Sequence, residues 1–320
     1  MHQKQQPVTV FKPDLDPNGV CTHVPRHTPP VNDTESPSIG LVRTYEVIGQ
    51  ARMFARYEVR KDETIDVSTR RGKPQPGSAW QLTSRGTVYV RNDATKGPGE
   101  GPNTIISRAT LRTEIQRLSL LLPANAALSG ANGKLINVTN AGRVIGGTTG
   151  IGVAYPPSTG SPKVTGTVTG NPAQSTTTNS FQLKDVFGVS VQELTGMADI
   201  VTDDEKDLPD PMPPMSLIVV KGNATFNPNR RLTGSGILVV LGNLILNPQS
   251  NSFYNGVIWV GGTVTISPPT QISGAVIGNG TITLSGGSDV SEIDYDAGIL
   301  DQVRMQMGNY HFSRSAWIPE

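Results

Sequence analysis

Apolar and polar positions repeat four times between residues 217 and 286. The segments are LIVVKGNATFNP (217–228), ILVVLGNLILNP (237–248), VIWVGGTVTISP (257–268) and AVIGNGTITLSG (275–286). Each is a short apolar run, a bend centred on glycine, then alternating apolar and polar residues. The bend glycines are Gly222, Gly242, Gly262 and Gly280, in steps of 20, 20 and 18. Two short strands and a glycine corner recurring near this period predict a stacked β-coil. The expected fold is mainly β: a parallel β-helix-like solenoid of ~20 residues per coil, with a small N-terminal antiparallel β region and a short helical insertion.

The two strands of each repeat differ. After the bend, Ala224/Phe226, Leu244/Leu246, Val264/Ile266 and Ile282/Leu284 form one apolar row. Thr225, Ile245, Thr265 and Thr283 form the opposite one, so this strand has one buried and one largely wet face. Before the bend both rows are apolar. One holds Ile218/Val220, Leu238/Val240, Ile258/Val260 and Val276/Gly278. The other holds Leu217, Val219, Ile237, Val239, Val257, Trp259, Ala275 and Ile277. A strand apolar on both faces is normally buried on both. Leaving the second ladder wet would forfeit on the order of 10 kcal/mol at ~25 cal/mol per Å². This ladder is therefore the candidate packing or partner face. The expected cover is the amphipathic stretch 181–200; the alternatives are a partner chain or an absent N-terminal helix.

The rest of the chain divides by pattern. Residues 1–40 are polar and Pro-rich and read as an extended arm, with a short strand at 8–11. Residues 41–120 read as a small antiparallel sheet. In it, 43–59 and 80–91 alternate with a bulge or kink at Gly49 and Gly86, and 104–118 forms a further strand. Residues 121–320 read as the solenoid domain, whose irregular first coils lie in 124–172. A helical insertion spans 180–201, with Ser190 and Glu193 as a capping box. An acidic, Pro-rich link follows at 203–214, and 287–320 forms a C-terminal cap containing a short helix (298–307) and a final strand (311–319).

Composition narrows the function classes. Net charge is +1, so no global field steers the chain to nucleic acid or an acidic membrane. The one cysteine, Cys21, excludes an internal disulfide. Cys21, His23 and His27 lack a fourth ligand and a usual metal spacing, and no metal or other cofactor is expected. No apolar run approaches a membrane span. The start has no signal-peptide core, which leaves a cytosolic protein or one separated from its targeting segment. No nucleotide-binding, nucleophile-elbow or zinc-protease motif occurs. Asp289, Glu292, Asp294 and Asp296 are the nearest approach to the paired carboxylates of polysaccharide-cleaving β-helices. A polar cap on the last coil accounts for them better, and no enzyme activity is expected.

Stretches 234–246, 253–266, 272–277 and 293–296 look like the C-terminal solenoid of PilX-type pilus-assembly proteins, which are minor-pilin-like bacterial envelope proteins. Stretches 126–130, 150–153, 168–172 and 185–190 resemble that family as well. The resemblance covers roughly 120–320 and rests on order and spacing. It implies a non-enzymatic structural or adhesive component of a type IV pilus or related cell-envelope assembly. The implied partners are other pilin or envelope-assembly subunits, with a surface carbohydrate or DNA as a further ligand. The implied location is the cell envelope or the extracellular surface of a bacterium. Such proteins begin with a long apolar anchoring helix, and this sequence has none, so an anchor is expected to have preceded it. Bactofilins, self-assembling cytoskeletal solenoids that need no anchor, share the rhythm and are the alternative.

Overall fold

The computed structural model describes residues 34–36, 40–47, 49–73, 76–307, 310–312 and 318–319. Most of the expected arm 1–40 lies outside them, including the strand at 8–11 and the Cys21, His23 and His27 group. The chain forms two compact units, residues 1–117 with 310–320, and residues 118–309.

The first unit is an antiparallel sheet built on β1 (Thr34–Ser36), β2 (Gly40–Glu46), β3 (Met53–Arg60), β4 (Ile65–Asp66), β5 (Ala79–Val90) and β6 (Thr104–Arg117). Segment 43–59 is a hairpin, not one bulged strand. Gly49 and Arg52 take positive φ (80° and 62°), and Val47 and Met53 close the turn by hydrogen bonds. At Gly86 β5 runs straight, and its register slips between Val88 and Tyr89 instead. β5 and β6 pair across the loop 91–103. Asn103 pins that loop: its Oδ1 accepts from the N–H groups of Asn92 and Asp93, and its Nδ2 donates to Asp93 O and Lys96 O. Val42, Val67, Ala79, Trp80, Tyr89 and Ile115 are buried. Buried Glu114 is neutralised by Arg70 (3.0 Å) and Arg71 (2.6 Å).

The second unit is the solenoid, and every strand pair in it is parallel. A regular rung has three sides. In the rung of β19 (Ser252–Val260) and β20 (Val264–Ile266), Ser252–Asn255 forms side one and Val257–Val260 forms side two. β20 forms side three. Gly256 makes the first corner and Gly261–Gly262 the second. β17 (Thr233–Val240) with β18 (Leu244–Leu246), and β21 (Thr270–Gly278) with β22 (Ile282–Ser285), repeat this plan. β15 (Ser216–Val220) and β16 (Ala224–Phe226) supply sides two and three of the preceding rung.

The first corner is a second glycine column that the bend-glycine period does not reveal. Gly236, Gly256 and Gly274 stack in register with φ of 116°, 141° and 135°. A Cβ on Gly256 would lie 2.0 Å from Gly236 O, and one on Gly274 would lie 2.0 Å from Gly256 O. No side chain fits between rungs there.

The order of rungs departs from the order of the chain. The early segments do not precede the first repeat; they stack beyond the last one. β7 (Ala126–Gly130) pairs with the second half of β21, and β8 (Ile136–Thr139) pairs with β22. β23 (Ser291–Asp294) pairs with the first half of β21. One rung therefore takes side one from 291–294 and sides two and three from 126–139. Outward from it lie β9 (Gly142–Ile145), β10 (Ile151–Tyr155) and β11 (Lys163–Val164). Then come β12 (Thr167–Thr169) and β13 (Gln174–Thr176). At the opposite end β14 (Ile200–Thr202) borders β15. The chain enters mid-array, builds to one end, crosses to the other and spirals back to its entry.

The crossing sets the helices. From β13 to β14 are seven inter-strand steps along side two, or roughly 34 Å at ~4.8 Å each. Residues 177–199 make that journey through α1 (Leu183–Phe187) and α2 (Val191–Met197). Gly188, left-handed at φ 69°, ends α1. The capping box is present at α2: Glu193 N–H donates to Ser190 Oγ, and Ser190 N–H donates to the Glu193 carboxylate. α3 (Ala297–Met307) follows β23 and lies against β17, β19 and β21. The cap expected over 287–320 is not formed: β23 is an interior strand and α3 covers side two. β24 (Tyr310–Phe312) and β25 (Ile318–Pro319) both pair with β6 of the first unit.

Candidate functional site

The eight-residue ladder on side two is wholly buried. Leu217, Val219, Ile237, Val239, Val257, Ala275 and Ile277 are sealed, and Trp259 is only 5% exposed. They share one apolar cluster with Phe181, Leu183, Val186, Phe187, Leu194, Met197, Leu300, Val303 and Met307. Segment 181–200 is thus part of the cover, as its spacing predicts, and α3 and Leu118 add to it. Polar contacts fix the seam: Trp259 Nε1 donates to Phe181 O at 2.9 Å, and Leu217 N–H donates to the Asp199 carboxylate at 2.8 Å. Ser119 N–H and Leu121 N–H donate to Phe187 O and Val186 O, which ties the entering chain to α1. The ladder is an internal packing face and presents nothing to a partner.

Side one is different. Register places Thr233, Phe253, Gln271, Glu292, Arg143 and Thr167 on successive rungs in one outward row. Their inward neighbours Tyr254, Ile272, Ile293 and Val144 fill the core. Along this row runs an open cleft of about 460 Å³, lined by Phe253, Gln271, Glu292, Arg143, Asn251 and Asp289 among others. Phe253 is 42% exposed, and it is the exposed aromatic residue of the solenoid among those described. Arg143 Nη1 stands 3.8 Å from the Glu292 carboxylate, a loose pair.

Of the four carboxylates singled out in the sequence, Asp289 and Glu292 line this cleft, and Asp294 lies two residues beyond Glu292 on the same face of β23. β23 is an interior strand between β21 and β9, so they do not cap a last coil. Burial, then the carboxylates of Glu292 and Asp296, push the Asp294 carboxyl above its ordinary range. Among the described residues no group of three or more His, Cys, Asp or Glu side chains is placed to hold a metal ion. No helix among them is long and apolar enough to cross a membrane.

The side-one row was hidden from the sequence because it lies upstream of the apolar runs that define the repeat. Its signal was Phe253, an apolar residue at an outward position where the neighbouring repeats carry Thr233 and Gln271.

No family model matches the chain, and no curated protein matches it. Among solved structures, the competence-associated pilin ComZ from Thermus thermophilus is similar over 86% of each chain, at 12% identity and a TM-score of 0.23. That score is too low for the likeness to define a shared role.

Proposed function

We propose that this chain is a non-enzymatic structural or adhesive module of a bacterial type IV pilus or a related envelope assembly. The resemblance of residues 120–320 to PilX-type solenoids supports the assembly named. The observation that carries the module reading is the closed end of the array. Beyond β14–β16, the turn 203–212 folds over the core: Leu208 and Met212 are buried in it, and the Glu205 carboxylate accepts from Thr225 N–H at 3.1 Å. A rung finished in this way does not template another, which suits a discrete tip or surface module attached to other pilin subunits.

The test is location in the source bacterium. The protein should appear in sheared surface filaments and disappear from them when pilus assembly is disabled. Recovery solely from the cytoplasm would sink the reading.

One observation favours the bactofilin-like scaffold instead. Among the described residues β11, β12 and β13 carry no further strand on their outer side. A scaffold would grow filaments from purified protein, visible by electron microscopy. A finished module stays monodisperse.

A further inference from the structure

We infer that the side-one cleft binds a neutral glycan chain. Four features of the cleft point to that class. Its volume, about 460 Å³, falls within the roughly 300–1,000 Å³ of small-ligand sites. Phe253 offers an exposed, rigid ring face at one end, suited to stack on the apolar C–H face of a sugar. Beside it, Gln271, Asn251, Glu292 and Arg143 present planar donors and acceptors, which suit rows of hydroxyl groups. These groups stand on a parallel sheet whose rungs recur every ~4.8 Å, so Phe253 and Arg143 lie three steps, or roughly 14 Å, apart. A ligand of several joined rings spans that row better than a single small molecule.

Charge selects within the class. Asp289 and Glu292 line the cleft, and Arg143 is the cation facing them. Asp294 follows Glu292 on the same outward face of β23. A polyanion such as DNA or an acidic polysaccharide would meet net repulsion, whereas a neutral chain would not. Of the two surface ligands weighed from the sequence, carbohydrate is therefore the one this cleft fits. The inference names a ligand for an adhesive module. It stands on the cleft alone and survives if the pilus location fails.

The experiment is calorimetric titration of the full chain with cellohexaose, chitohexaose and maltohexaose, beside polygalacturonate and duplex DNA. At least one neutral hexasaccharide should bind saturably. Phe253→Ala should weaken it about tenfold, and Gln271→Ala should weaken it to a lesser degree. Met305→Ala, an exposed apolar change on α3, should leave it unchanged. Phe253 points away from the core, so the thermal transition of Phe253→Ala should match the parent. Three outcomes overturn the proposal: no neutral glycan binds, Phe253→Ala binds as well as the parent, or an anionic polymer binds more tightly.

Discussion

At the residue scale, the rungs are set by where a side chain cannot go. Gly256 combines a φ of 141° with a neighbouring carbonyl 2.0 Å from any added Cβ. The obstacle is backbone of the next rung, so a rotamer change cannot relieve it. Gly256→Ala is expected to cost at least roughly 4 kcal/mol or to prevent folding. Gly147, at φ 66° with open space around its Cβ position, should lose only about 1–2 kcal/mol as Gly147→Ala. Urea unfolding of the pair separates steric exclusion from backbone preference. Equal costs would refute the column argument. Asp294 gives a titration counterpart. Its folded-state carboxyl is raised above the ordinary 3.8 by burial and by Glu292 and Asp296. A raised value means the folded protein holds this proton more tightly, so ionisation costs stability. The penalty is full above the raised value, shrinks as pH falls through it, and is gone below the unfolded value. Asp294→Asn should therefore melt higher than the parent at pH 7, and that advantage should vanish below about pH 4. A Tm difference independent of pH would show that the effect is not ionisation.

At the element scale, the helices exist because side two is apolar outside as well as inside. α1 and α2 have five and seven residues, too short to be stable alone. Their stability comes from the ladder they cover. Trp259 sits at the centre of that contact, with its indole N–H on Phe181 O. Trp259→Ala should cost about 3–5 kcal/mol and raise dye binding by exposed apolar surface. Trp259→Phe should cost only about 1 kcal/mol, the hydrogen bond. If the ladder served a partner instead, neither change would move the unfolding midpoint. This layer was legible in advance because it rests on local rules. A doubled apolar row demands a cover, Phe181, Val186, Leu194 and Met197 fall at helical spacing, and Ser190 with Glu193 marks a start. Gly49 misled because a glycine amid alternating residues fits a bulge and a hairpin turn equally. Only the pairing partner decides, and that partner is Met53–Arg60.

At the scale of the whole molecule, chain order and spatial order part company, and no local signal reports it. Leu128 meets Val276, and Val138 meets Leu284, across well over a hundred residues. Nothing in 126–139 distinguishes a rung stacked before the first repeat from one stacked after the last. Either arrangement buries the same row. The choice follows from long-range closure: β23 completes one side of a rung that 126–139 begins, and 177–199 must then cross the array. The return of β24 and β25 to β6 is equally non-local. The topology has a direct consequence for the repeats, which look self-sufficient in the sequence. A fragment of residues 200–309 contains all four of them. It lacks α1 and α2, so part of the side-two ladder is wet. It also lacks β7 and β8, so the second half of β21 and all of β22 end in open, largely apolar parallel edges, which are templates for aggregation. A fragment of residues 118–309 keeps the composite rung and the cover, and it forms one compact unit. The longer fragment should be a soluble monomer with a single unfolding transition, whereas the shorter should aggregate or remain unfolded. Circular dichroism and size-exclusion chromatography read both. A folded, monomeric 200–309 would mean that the repeats are autonomous and that the re-entrant limb adds to the solenoid without completing it.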